Sequence, residues 1–341
     1  MEIRVPRDKL AKLGLGAAML LAGGIVLRKL TRAFLNTLQR RTYNPAHSYA
    51  SALERFTRVQ IEEATNLEVN PVCRSRLLTH GKPTDQVIIL MHGMTNCPRQ
   101  YHQLAQLLYK QGYNVLIPRI PHNGLANLDT DALKYLTAEE LRDSCDTMVD
   151  IARGLGKHIT YAGLSAGGVM AAWVAQNRAD VDRVVIIAPS FTFSPRANLW
   201  LSRVCMYLMA WLPNLMTQRV LPIKEGPFYN YLGFATRGLG QMMRLGFAAY
   251  DAAGRRAPVA PAIVVVTNAA DPAVNNRITD KLAERWRAFG EARVETYVFD
   301  AHYHLLHDIV DPLQKQQQIE LVYPILLKLI APEQQFALSR D

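Results

Sequence analysis

Cysteine is scarce in this chain of 341 residues. There are four, Cys73, Cys97, Cys145 and Cys205, with no Cys-x-x-Cys pair and no cysteine–histidine spacing that would close around zinc. No metal site is expected. Cys73 and Cys97 fall near the starts of two loops that should be neighbours, so they pair if the domain is exported and stay separate buried thiols otherwise. Acidic residues are also in deficit, 29 against 39 lysines and arginines, for a formal charge of +10. Residues 1–41 alone carry +7 of that, and the rest of the chain has no basic stripe interleaved with aromatics. That distribution excludes nucleic acid as a partner. No internal repeat or low-complexity tract occurs.

A full membrane-spanning run is also missing. Leu13–Leu27 is free of charge and bounded by Lys12 and by Arg28 and Lys29. As a helix it would be about 22 Å long, short of a hydrocarbon core of about 30 Å. No small-residue cleavage site follows it. Residues 1–42 are therefore expected to be an uncleaved membrane anchor or a shallowly inserted helix. A cleaved signal peptide, with export, is the alternative. Basic residues flank both ends, so sidedness is open, as is oligomeric state.

What is present is an ordinary globular composition, 49% hydrophobic and 20% charged. Residues 43–341 suffice for one large α/β domain. A helix is expected over 48–64 and a strand over 73–79. Apolar strands at 86–91, 113–118, 158–164 and 183–188 then alternate with helices at 98–111, 137–154 and 169–177. Thr137 and Glu140 form a capping box. Strands apolar on both faces, alternating with amphipathic helices, indicate a mostly parallel sheet covered on both sides. The rhythm breaks over about 190–258, which carries helix-like stretches at 199–212 and 239–249 and five of the eleven methionines. This reads as a helical lid, its methionines serving either an adaptable ligand wall or core packing. Strands at 262–267 and 293–299, a helix at 274–289 and a helical stretch at 311–329, interrupted at Pro324, close the chain.

One stretch carries chemistry. Gly163-Leu-Ser165-Ala-Gly167 lies between a strand and a helix, the setting of a nucleophile elbow. Such a turn lifts Ser165 over a helix N-terminus, where the N–H of Ala166 can stabilise an oxyanion. A serine nucleophile needs a base and an acid that orients it. Both should follow on loops after late strands: Asp271 after 262–267, then a histidine after 293–299. His302, His304 and His307 compete for the base, and Asp300 is a minor rival for the acid. Upstream, Met91-His92-Gly93-Met94 ends the neighbouring strand. Gly93 lets the loop turn closely, His92 orders it, and Met94 N–H is the expected second oxyanion donor.

These motifs resemble the α/β-hydrolase superfamily, within it the carboxylesterase and monoacylglycerol-lipase-like branch. The likeness covers roughly residues 70–330. It is carried by Leu90-Met-His92-Gly93-Met94-Thr95, the elbow, Asp271-Pro-Ala-Val and Ala301-His-Tyr-His304-Leu-Leu-His307. The last is similar to a Tyr-His-x-Leu-His segment of monoacylglycerol lipases and favours His304 as the base. Pro118-Arg-Ile-Pro121-His122-Asn-Gly124 is similar to the loop at the pocket mouth. The resemblance implies an α/β-hydrolase fold with its lid after the sixth strand. It also implies a Ser165–Asp271–His304 triad, and substrate-binding positions at His92, Gly93 and His122. The expected activity is hydrolysis of a small ester or lipid through an acyl-enzyme, without cofactor. The same triad would serve a thioesterase or acyltransferase, and a non-catalytic membrane-tethered binding protein is the remaining class.

Overall fold

The computed structural model describes residues 34–35, 37–38, 42–217 and 226–332. The chain divides into two compact units, Met1–Arg40 and Arg41–Asp341. Of the first, only Phe34, Leu35, Thr37 and Leu38 are described, a turn in which Leu38 N–H donates to the Leu35 carbonyl at 3.3 Å. The apolar run Leu13–Leu27, on which the anchor expectation rests, lies outside the described residues. Among those residues, no helix is long and apolar enough to cross a membrane.

The second unit is built on a seven-stranded sheet among the described residues. Its strands are β1 (Arg76–Leu78), β2 (Thr84–Met91), β3 (Asn114–Ile117), β4 (Gly156–Leu164), β5 (Arg183–Ile187), β6 (Ala262–Asn268) and β7 (Arg293–Phe299). The spatial order is β1-β3-β2-β4-β5-β6-β7, and every pairing is parallel except β1 with β3 at the edge. Val87–Met91, Ile159–Leu164 and all of β5 are buried, as strands covered on both faces must be. Around them run α1 (Tyr49–Thr65), α2 (His102–Lys110), α3 (Ala138–Leu155), α4 (Ala166–Asn177), α5 (Leu199–Trp211), α6 (Thr236–Ala252), α7 (Asn276–Arg287) and α8 (Ile319–Ile330). This is the α/β-hydrolase fold. The α3 capping box forms as its spacing predicts, with Thr137 Oγ1 accepting from Glu140 N–H at 3.1 Å and Glu140 Oε2 accepting from Thr137 N–H at 2.8 Å.

Beyond shifts of a few residues at helix ends, three features differ from the sequence reading. The strand expected over 73–79 is cut to β1, because Pro71–Cys73 forms a 3-10 turn capped by Asn70 and Cys73 is disulfide-bonded to Cys97. The helix expected from Asp311 starts only at Ile319. The carboxylates of Asp308 and Asp311 take the N–H groups of Val310, Asp311 and Leu313, and such bonds compete with a helix. The insertion follows the fifth strand rather than the sixth, since only β1 precedes β2 at that side of the sheet.

The two helices of the insertion differ in how they are held. α6 packs on α3 and α4, and Arg244 grips Glu139 through both nitrogens, at 2.6 and 2.9 Å. α5 leaves Trp200 exposed at 67% and Leu208 at 48%. The methionines Met206, Met216, Met242 and Met243 are buried, so packing accounts for most of them.

Candidate active site

β4 ends at Leu164 and α4 starts at Ala166, so Ser165 alone makes the turn, at φ 59 and ψ −111. A non-glycine residue there is strained. The strain persists because the surrounding backbones leave no alternative. A Cβ on Gly163 would collide with the Gly167 carbonyl, and one on Gly167 with the Met91 carbonyl. Gly167 N–H donates to the His92 carbonyl at 3.1 Å, and Ser165 N–H to that of Ile187 at 3.0 Å. Ala166 is the first residue of α4, so its N–H has no acceptor within the helix.

The loop after β2 is pinned by neutral groups. His92 is fully buried and accepts Ile120 N–H at Nε2 over 3.0 Å, which places the ring proton on Nδ1, donating to the Gly93 carbonyl at 2.7 Å. Burial pushes its pKa down to about 3, so it stays uncharged. Gly93 N–H donates to Gln100 Oε1 at 3.0 Å, and Asn123 Nδ2 holds the Met94 and Asn96 carbonyls. Met94 and Gly93 are left lining a cavity of about 430 Å³ with Ser165. Phe193, Phe234, Leu239 and Met242 form its apolar wall, and all four come from the insertion.

His307 lines the same cavity, and its Nδ1 lies 2.8 Å from Asp271 Oδ2. A carboxylate only accepts, so Nδ1 carries the proton and Nε2 remains a base. Asp271 Oδ1 accepts from Ala273 N–H at 2.8 Å and Val274 N–H at 3.3 Å. Burial works to lower the His307 pKa, but the bond to Asp271 and the charges of Asp271 and Asp308 outweigh it, and the net shift is upward.

The structure therefore pairs Asp271 with His307, not His304. After β7, a 3-10 turn (Ala301–Tyr303) runs into His304, which caps it in the left-handed conformation at φ 50 with its ring exposed. That reversal buries Leu305, and Asn268 Nδ2 then holds the carbonyls of Leu305 and Leu306 at 2.8 and 3.2 Å. The chain thus comes back to the end of β6 at Leu305 and Leu306, and the next residue, His307, is the one that reaches Asp271. His302 pairs at the surface with Asp300, 2.7 Å away, and neither lines the cavity. Two of the residues expected to bind substrate also lie elsewhere. His92 is closed off behind its loop. His122 takes Glu140 at 3.1 Å, while its carbonyl accepts the Tyr231 hydroxyl at 2.8 Å and so anchors the insertion. Gly93 does line the cavity. Sequence reading assigned no role to Gln100, Asn123, Asn268 and Asp308, whose hydrogen-bond partners on other loops leave no local pattern in the chain.

Comparison with known proteins agrees with this architecture. Residues 82–230 match the family model described as serine aminopeptidase, S33 (Hydrolase_4). Over 108 residues the chain is 28% identical to the thermostable monoacylglycerol lipase of Bacillus sp. (strain H-257), a match spanning 29% of this chain and 39% of that relative's length. Among solved structures, the monoacylglycerol lipase of Paleococcus ferrophilus superposes with a TM-score of 0.56 at 17% identity, covering 76% of this chain and 98% of that one. A monoglyceride lipase from Saccharomyces cerevisiae gives 0.54 at 13% identity, covering 75% and 90%. At such identities these structures speak for the fold.

Proposed function

We propose that this chain, an α/β-hydrolase by fold and motif, is a carboxylic ester hydrolase of the monoacylglycerol-lipase-like type that works through an acyl-enzyme on Ser165. The observation that carries this reading is the His307–Asp271 pair opening onto the same cavity as a serine on a strained elbow. In the first step Ser165 Oγ attacks the ester carbonyl while His307 Nε2 takes its proton, and Asp271 steadies the imidazolium. The N–H groups of Met94 and Ala166 receive the oxyanion. His307 then protonates the leaving alcohol, and water, deprotonated by the same nitrogen, releases the acid.

The apolar wall supplied by the insertion suits an acyl chain, and Trp200 and Leu208 on α5 suit contact with lipid. Residues 1–42 are read as the membrane attachment of the same enzyme. Ser165→Ala tests the reading. Hydrolysis of a short p-nitrophenyl ester should fall by on the order of 10⁵–10⁶, as in other serine hydrolases that lose their nucleophile. Labelling by a fluorophosphonate probe should vanish with the fold intact. Retained turnover would sink the assignment.

A further inference from the structure

Gln100 is 1% exposed and makes two hydrogen bonds that face opposite ways. Its Oε1 accepts Gly93 N–H at 3.0 Å, and its Nε2 donates to Asp308 Oδ2 at 2.8 Å. The amide orientation is fixed by these partners, because reversing it would set two donors against each other at Gly93 and two acceptors at Asp308. Gly93 precedes the expected oxyanion donor Met94, and Asp308 follows the base His307. Asp308 is saturated. Besides Gln100 it accepts Asn96 Nδ2 at 3.2 Å, Gln314 Nε2 at 3.0 Å, and the N–H groups of Val310 and Asp311 at 3.2 and 3.1 Å.

We infer that Gln100 and Asp308 are positioning residues that lock the oxyanion loop and the base loop into one register. This rests on the acyl-transfer reading of the site. The two arms of the machinery lie more than 200 residues apart in the chain, and two buried amides, Gln100 and Asn96, join them through Asp308, with Gln100 also holding Gly93 N–H. Misplacing either arm by a fraction of an ångström costs turnover rather than substrate affinity, since the oxyanion and the proton in flight exist only in the transition state. Asp308 adds charge to this geometry. The ionisable groups around His307 are Asp271 and Asp308, and those around Asp308 are Asp311, Tyr101, Tyr229 and Tyr323.

The test measures kcat, KM and the pH profile of kcat on a p-nitrophenyl ester for Gln100→Glu, Asp308→Asn, the double variant and Ser165→Ala. Each single variant should lose about tenfold in kcat with KM within about twofold of wild type. The acid limb should move up in Q100E, which adds a negative charge near His307, and down in D308N, which removes one. In the double variant the 100–308 bond is restored with its direction reversed, the carboxylate at 100 accepting from Gly93 N–H and from the new amide at 308, while that amide nitrogen now meets the Asn96 and Gln314 donors that Asp308 Oδ2 accepted. Turnover should therefore recover in part, the double variant losing less in kcat than the two single losses combined, with the pH profile returning toward wild type as the charge is restored. Losses that simply add in the double variant, or single variants with wild-type kcat and pH profile, would overturn the inference. Gln100→Met fills similar volume without either bond, and unchanged kcat in a folded Q100M would equally overturn it. Full activity in S165A would instead overturn the acyl-transfer reading itself.

Discussion

Asp271 is closed to solvent, and its two carboxylate oxygens divide their work: Oδ1 takes the backbone N–H groups of Ala273 and Val274, and Oδ2 takes His307 Nδ1 at 2.8 Å. The backbone bonds fix the carboxylate, and the carboxylate fixes the imidazole tautomer.

This arrangement separates two nearby histidines in one experiment. His307→Ala should reduce ester hydrolysis about as severely as Ser165→Ala, and Asp271→Asn by about 10⁴, the cost of a wrong tautomer. His304→Asn, at a surface residue in the left-handed conformation that asparagine tolerates, should keep wild-type turnover. Full activity in the His307 variant would remove it from the mechanism.

The raised pKa of His307 also sets a pH dependence. The base must be neutral, so kcat should climb through a pKa above the ordinary 6.5 and plateau beyond it. A profile already flat at pH 6 would contradict the pairing.

Asp311 gives a stability signature of opposite use. Burial first, then the charge of Asp308, raises its pKa to about 6 from 3.8, while Tyr229 donates to its Oδ2 at 2.6 Å. A carboxyl with a raised folded pKa favours the folded state at low pH and loses that contribution as pH rises. The contribution of Asp311 to wild-type stability should therefore decline between about pH 4 and 6 and level off above. Asp311→Asn keeps a bond to Tyr229 and removes the charge. Its Tm should exceed that of wild type at pH 8, with the gap closing toward pH 4. Parallel Tm curves would rule this out.

The Cys73–Cys97 disulfide cross-links residues 24 apart and packs against Tyr229 of the insertion. Loop-closure entropy assigns such a link about 3–4 kcal/mol. Dithiothreitol should lower the denaturation midpoint of wild type and leave that of C73A/C97A, already lower, unmoved. Equal shifts in both proteins would show that the cross-link contributes nothing.

The fold was legible because its signals are local. Buried strands such as Val184–Ile187 are apolar throughout, Thr137 and Glu140 stand at capping spacing, and Gly163 and Gly167 bracket the serine. Asp271 stands just past a strand end, where the sequence reading looked for it. The histidine it pairs with was not legible, because its position depends on a turn. Nothing in His302-Tyr-His304-Leu-Leu-His307 declares that His304 turns left-handed or that Asn268, from another strand, will grip the carbonyls after it. The contact between Gln100 and Asp308 was hidden for a related reason: the two meet across 208 residues of sequence.

The crowding beneath the elbow has a consequence for how this chain can diverge. Because the backbones of Gly163, Gly167 and Met91 leave no room for a single methyl group, the elbow has no neighbouring sequence to explore. The insertion, by contrast, supplies Phe193, Phe234, Leu239 and Met242 to the lining of the same cavity as the serine. A library at those four positions would sample new specificities while leaving the catalytic frame untouched, so evolvability here is a property of the wall and not of the nucleophile.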